Sequence, residues 1–554
     1  MADSLRRCKY MQRWSALDTE FSPWRKRYMD VSENILPVSG RFTENRNNAD
    51  KNFNSIYDST GTSALGTLSA GLMAGMTSPA RPWFRLSTSD PGLLKFAPVK
   101  LWLNDVTRIM QSVFARSNTY RSLHSMYEEL GLYGTGASIM LDDFENVIHH
   151  FTLTAGEYRL ATNYKGEVDC LYRECQKTTA ELVKEFGKDN CSVAVRNMFD
   201  NGNLDAYVPI VHLIEPRADR DVTKRDKLNM PWRSLYFEKG ANNPELYLRE
   251  GGFKNFRVLA PRWATWGSDV YGISPAMYAL GDVRQLQHQQ LRKAQGIDYM
   301  VKPPLIFPTT AKNQPLDYLP GGASFVDMTA PGGVRSAFEV NLNLQYLLED
   351  IRDVRERVNG VFYVDLFKML AQNDRGQMTA TEVAERHEEK LLMLGPVLER
   401  QHNELLSPKV EMTFARMIEA GIVPTPPPEL QGKDLQIEFV SMLAQAQRAI
   451  GTNGIDRFVM SLGTIASFKP DVLDKFNSDE WADVYADMLG VDPSLIVADE
   501  QVALIRKDRA QAQAAAQQAA MAESMSKSAA NLAGADTSGE NALTDITAQF
   551  SGYT

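Results

Sequence analysis

Several kinds of chemistry are missing from these 554 residues. Neither Gly187-Lys188-Asp189 nor Gly432-Lys433-Asp434 completes G-x-x-x-x-G-K-[ST], so no loop with its lysine and hydroxyl is set to cradle a nucleotide's phosphates. His387-Glu388-Glu389-Lys390-Leu391 lacks the second histidine of H-E-x-x-H, and G-x-S-x-G does not occur. Four cysteines, Cys8, Cys170, Cys175 and Cys191, are too irregularly spaced for a disulfide framework or a zinc pattern. A reduced, cytoplasmic place of assembly is the expectation. No signal peptide opens the chain, since Arg6, Arg7 and Lys9 lead to Trp14, Asp18 and Glu20 rather than to an apolar run.

Long apolar runs are scarce too. Ser59–Ala80 carries no charge and contains Gly71-x-x-x-Gly75, but it is rich in Ser, Thr and Gly and poor in large side chains. A buried small-residue helix is expected there, not a membrane span. Positive charge is in deficit: 60 Lys and Arg against 69 Asp and Glu, net -9. Tight duplex binders are basic, because lysines and arginines displace phosphate counterions. This balance does not mark a tight duplex binder.

Candidate metal ligands are thin. His149-His150 has no third ligand at helical spacing; a surface or strand-end place is expected. Asp142-Asp143-x-Glu145 reads as a strand cap. Glu382, Glu385, Glu388 and Glu389, with Arg386 and Lys390, read as a solvated helix face or subunit contact. No metal, cofactor or catalytic residue is assigned.

The most informative stretch is Ser274–Glu419. Ser274-Pro275 is an N-cap hydroxyl followed by a proline suited to a first helical turn. The helix it starts continues to Tyr299, roughly 37 Å, with a thin apolar stripe and exposed Arg284, Gln285, Gln287, Gln289, Gln290, Arg292 and Lys293. Such a stave suits lateral packing against copies of itself. Lys302-Pro303-Pro304 ends it. A Pro/Gly-rich insert follows, with strand-like Leu305-Ile306-Phe307 and Ser324-Phe325-Val326. Leu344, Leu347, Leu348, Ile351, Val354 and Val358 then mark a second helix. An apolar run, Val361–Leu370, leads to a polar tip, Ala371–Gln377. Thr379-Ala380-Thr381-Glu382 forms a capping box, opening a helix to Glu419 that Gly395-Pro396 kinks and Ser407-Pro408 bends or breaks.

This order resembles the portal, or head-to-tail connector, of short-tailed bacteriophages (podovirus type). Three strings add to the likeness: Ser59–Pro79 with Arg81-Pro82-Trp83-Phe84-Arg85-Leu86; Tyr133–Met140; and Tyr271-Gly272-Ile273-Ser274-Pro275. The resemblance covers roughly residues 5–500 and rests on the ordered set, since no single string is diagnostic.

It implies an α+β, predominantly helical portal fold of wing, stem, clip and crown, assembled as a dodecameric ring round a channel. The expected divisions are 1–270, N-terminal arm and α/β wing; 271–302, first stem helix; 303–340, clip; 341–358, second stem helix; and 359–378, channel loop. A kinked wing helix (379–421), a helical crown (422–500) and an Ala/Gln-rich helix with a disordered tail (501–554) complete it. Within the wing, helices are expected near 59–77, 98–117, 119–133 and 178–187. Strands are expected near 137–142, 149–153, 167–175, 206–214 and 244–249. The resemblance further implies stem positions Arg284, His288, Arg292 and Lys293, clip contacts Leu305, Ile306, Phe307, Phe325 and Val326, and channel-facing Lys368, Gln372, Asn373 and Arg375. Implied partners are copies of the chain, double-stranded DNA, the large terminase, major capsid and scaffolding proteins, and tail adaptors, at one vertex of a virion assembled in the host cytoplasm. For Val361–Leu370 a buried helix with solubilising end charges is the competing reading. Other readings of the whole are a head–tail adaptor or tail protein, and a DNA-packaging enzyme; the absent phosphate loop and the lack of a spaced acidic triad count against the enzyme.

Overall fold

A computed structural model describes residues 2–42, 53–94, 96–224, 226–240, 247–302, 305–306, 335–336, 344–371, 394–440, 458–489, 497 and 499–533. The chain opens with helix α1 (Ala2–Ile35), which buries Tyr10, Trp14, Leu17, Phe21, Tyr28, Val31 and Ile35 on one stripe. Helix α2 (Thr60–Met76) is the expected small-residue helix, buried along Ala64, Leu65, Leu68 and Leu72. Strand β1 (Phe84–Thr88), the short α3 (Pro91–Leu94), α4 (Ala97–Arg116) and α5 (Thr119–Tyr133) follow. Among the described residues no helix is long and apolar enough to cross a membrane.

Next come β2 (Ala137–Asp143), β3 (Val147–Leu153), β4 (Tyr158–Thr162), β5 (Val168–Thr178), α6 (Thr179–Phe186), α7 (Val193–Asp200), β6 (Tyr207–Pro216), β7 (Trp232–Glu238), β8 (Arg249–Phe253) and β9 (Val258–Leu259). Strands β4 to β8 form a five-stranded antiparallel sheet in sequence order. Its period-2 alternation serves two cores. Val211, Leu213, Leu235 and Phe237 meet Tyr10, Trp14 and Leu17 of α1, while Ile210 and Tyr236 meet Leu182 and Phe186 of α6 and Val195 of α7. A three-stranded sheet, β3-β2-β9, stands beside the main core.

Helix α8 (Pro275–Val301) leads to β10 (Leu305–Ile306), which pairs antiparallel with β11 (Arg335–Ser336). Helices α9 (Leu344–Val361) and α10 (Val364–Ala371) return the chain to the core. A helix from 394 widens into a π-turn at His402–Leu406 and continues as Ser407–Glu419. The expected bend at Pro408 is this wide turn: proline has no N–H to give and crowds the carbonyl a turn earlier. Gly421, at φ +68, ends the helix as expected. Strand β12 (Leu435–Phe439) then pairs antiparallel with β1.

Residues 2–35 are one helix through Pro23, packed from Tyr10 to Ile35. Three expectations need correction. The strand expected at 244–249 is β8, at Arg249–Phe253. Residues 435–439 are a strand against β1, not part of a helical crown, because alternating Leu435, Ile437 and Phe439 pack on the main core. The helix Asp499–Ala533 runs through Ser524, where disorder was expected, since nothing stronger than serine interrupts it before Gly534. The capping box at Thr379, the acidic face Glu382–Glu389 and residues 534–554 lie outside the described residues.

Candidate stem and its anchor

The three separated strings of the sequence meet at the root of α8. Ser274 caps the helix by accepting from Met277 N, and its own hydroxyl donates to Leu132 O at 2.8 Å. Gly272 N donates to Thr135 Oγ1 at 2.8 Å, and Trp263 N to Gly134 O at 2.8 Å. Backbones approach so closely here that a Cβ on Gly272 would lie 2.1 Å from Gly134 O, and Gly134 itself has φ +77. The Tyr271 hydroxyl accepts from Leu160 N, while Phe21 and Trp24 pack on its ring. From the first string, the Thr77 hydroxyl lies 3.2 Å from the Tyr127 hydroxyl, and Leu65 and Leu68 close over Gly131. The helix root is thus held by dry packing and buried hydrogen bonds, which make it a rigid base.

Helices α8 and α9 form an antiparallel hairpin. Gln289 donates to Asp350, and Arg357 pairs with Asp282 at 3.3 Å. Between them Ala279, Val283 and Leu286 of α8 and Ile351, Val354 and Val358 of α9 are buried. The loop before α2 fastens both helices through Asp58. Its Oδ2 accepts from Gln290 at 2.9 Å and from Arg355 at 2.8 and 3.1 Å, while its Oδ1 accepts from Thr60 N at 2.9 Å. Gln287 Oε1 accepts from Tyr57 N and Asp58 N, and Gln287 Nε2 donates back to Asp58 O. Burial alone would raise the Asp58 carboxyl, but hydrogen bonds from Thr60, Arg355 and Gln290 outweigh it and hold the group at about 2. Apart from Thr60 nothing local in the sequence marks Asp58; Gln287, Gln290 and Arg355 are more than 200 positions away. Gln287 and Gln290 are therefore engaged within the chain, and Gln289 donates to Asp350 while its buried Oε1 has no partner among the described residues, so the polar stave offers fewer open groups than its sequence suggests.

Of the expected stem positions, Arg284 pairs with Asp30 at 3.2 Å, Lys293 is half-buried, and His288 and Arg292 are exposed. The far end of the hairpin exposes Tyr299, Met300 and Val301 of α8 and Tyr346 and Leu348 of α9. Leu305 and Ile306 lie in β10 at the base of the insert; Phe307, Phe325 and Val326 lie outside the described residues. In the run 361–371, α9 ends at Val361, Phe362-Tyr363 form a turn with Tyr363 at φ 55, and α10 follows; Phe362, Val364, Leu366 and Phe367 are buried and Lys368 is exposed. Phe367 seats on α2, where a Cβ at Gly71 would meet its ring at 2.2 Å. Gln372, Asn373 and Arg375 lie outside the described residues.

The carboxylates at the β2–β3 turn are engaged as expected of a strand end. Asp142 pairs with Arg257 at 2.5 Å and Arg416 at 3.3 Å, and Asp143 Oδ1 accepts from Glu145 N. No cluster of three candidate metal ligands occurs among the described residues. Strand alternation puts His149 outside and His150 inside, correcting a surface place for the second histidine. Buried His150 has Nε2 3.4 Å from Lys409 Nζ, and Lys409 is fully buried. Burial pushes the Lys409 ammonium down to about 7 and, with that lysine beside it, holds His150 well below its ordinary value.

Comparison with known proteins agrees with this architecture. Residues 7–497 match the family described as bacteriophage head to tail connecting protein. The chain is 60% identical to the probable portal protein of Bordetella phage BPP-1, covering 100% of both chains. It is 42% identical to the portal protein of Salmonella phage epsilon15, covering 97% of each. A chain from the neck of an empty GTA particle is similar at 11% identity over 78% of this chain and 91% of that one, with a TM-score of 0.36, too distant to bear on the fold. On the match along most of its length and on both full-length relatives, the chain belongs to the family of bacteriophage head-to-tail connecting proteins.

Proposed function

We propose that this protein is the portal of a short-tailed phage: a dodecameric ring at one capsid vertex through which the genome is packaged and later ejected. The observation that carries the reading is the α8–α9 hairpin, rooted in a rigid wing and extending an amphipathic stave whose outer side no part of the described chain covers. Full-length relatives named as portal proteins support the assignment. The role is structural, and self-association supplies the lateral partners that the stave lacks. The insert 303–340 is the clip that meets the large terminase during packaging and tail adaptors afterwards. The wing meets capsid and scaffolding proteins during assembly in the host cytoplasm. The segment 359–378, which includes α10 and its exposed Lys368, is the channel loop that reaches the bore.

Electron microscopy and native mass spectrometry of the purified protein test this. Closed rings with a central hole are expected. A folded monomer at micromolar concentration that forms no ring in any salt would overturn it.

A further inference from the structure

The solvent sides of the two stem helices carry opposite charge at matching heights. On α8 the face opposite the buried Ala279, Val283 and Leu286 presents Gln285, His288 and Arg292. On α9 the face opposite the buried Ile351, Val354 and Val358 presents Glu349, Asp353 and Glu356 with exposed Arg352 among them, a face acidic on balance. Arg292 reaches only Gln295 on its own helix, and Asp353 is paired only with its helical neighbour Arg357. His288, Glu349 and Glu356 have no hydrogen-bond or ion-pair partner among the described residues.

The hairpin register sets their levels. Gln289 lies opposite Asp350 and Asp282 opposite Arg357, so seven residues down α8 match seven up α9. His288 is therefore level with Ile351, between Glu349 and Asp353. Arg292 is level with Leu347, two residues beyond Glu349, about 3 Å along the axis. A ring axis running along the stem moves each copy sideways without changing its height. The row of one copy that carries His288 and Arg292 then arrives level with the acidic residues of the next.

We infer that the lateral stem contact is heterologous: His288 and Arg292 on α8 of one copy face Glu349 and Asp353 on α9 of its neighbour. The inference rests on the ring reading above and deepens it by naming which faces join. A contact between two different faces repeats round a ring until it closes, whereas a self-complementary face stops at a dimer. Charge rows of this kind set partner and register more than they add raw affinity.

Two full-length variants test it together. His288→Glu with Arg292→Glu makes both rows acidic; Glu349→Lys with Asp353→Lys makes both basic. Each alone places like charges across every lateral contact, and ring formation should weaken on the order of a hundredfold per interface. Mixed in equal amounts, each variant's α8 meets an opposite row on the other's α9, so rings should return containing both chains in a one-to-one ratio by native mass spectrometry. That rescue also shows that both variants fold. Wild-type rings together with normal rings from either variant alone would overturn the pairing and leave the ring reading standing. Failure of the mixture to form rings would likewise overturn it. Failure of the wild type itself to form rings would count against the portal reading.

Discussion

Arg355 donates through both Nε and Nη2 to the same carboxylate oxygen of Asp58, across nearly 300 positions of sequence. The Asp58 side chain is 1% exposed, while that of Arg355 is 47% exposed. The bond therefore ties a solvent-lapped helix to a buried carboxylate, and Gln290 brings the other helix, α8, to the same oxygen. Both helices are positioned by one acid.

Asp58 should make the stem acid-labile. Its folded value of about 2 lies below the ordinary 3.8, so its contribution is complete above about pH 4 and is lost as pH falls towards 2. The linked stability is about 2 kcal/mol. Asp58→Asn should lower the thermal midpoint at pH 7 and flatten the dependence between pH 4 and 2. A variant with the wild-type acid limb would show that the hub does not couple to folding.

Gly71 and Phe367 make a size-matched pair. Phe367→Ala should cost about 3–4 kcal/mol by leaving a cavity on α2. Gly71→Leu should cost a comparable amount by displacing the ring. The double variant should recover part of the loss, read as the thermal midpoint and as protection of 361–371 from protease. Strict additivity of the two losses would refute direct seating.

Lys409 has no acidic partner among the described residues, and neutral His150 lies beside it. Its folded value of about 7 lies below the ordinary 10.5, so the unfolded chain binds the extra proton between those pH values. Stability should rise with pH across that window and stay at its lower level below about pH 7. Lys409→Met should raise stability at pH 7 by on the order of 2–4 kcal/mol and remove the rise, measured by urea denaturation at pH 7 and 9.5. An unchanged slope in the variant would place the titration elsewhere.

Lys368 is exposed on α10, just ahead of the segment that carries Arg375. On the proposed channel reading, Lys368→Ala with Arg375→Ala should leave ring assembly intact and change DNA entry rate or retention roughly severalfold, because each cation removed would delete a brief, salt-screened phosphate contact. Packaging and retention assays on particles carrying the double variant supply the check. Wild-type values for both, with rings confirmed, would move these residues out of the channel.

Local chemistry was legible wherever a short window contains its own cause. Ser274-Pro275 announces the start of α8, Gly421 the end of the helix before it, and the period of Leu347, Ile351, Val354 and Val358 announces α9. Helix α5 lies where its apolar spacing puts it. Strands β4 and β7 went unseen, because a strand buried on both faces blurs the alternation that would reveal it.

What no window holds is the partner. Leu435–Phe439 is a strand because Phe84–Thr88 offers it an edge, and the loop at Asp58 is ordered because Gln287, Gln290 and Arg355 converge on it. By itself the sequence determined the helices α8 and α9 and the cap of α8, since turn chemistry and helical period act within a few residues. Tertiary structure alone decided which α8 residue stands level with which α9 residue, and which polar groups are consumed inside the subunit. Those follow from the path of the chain in space, where burial and hydrogen bonding join residues hundreds of positions apart.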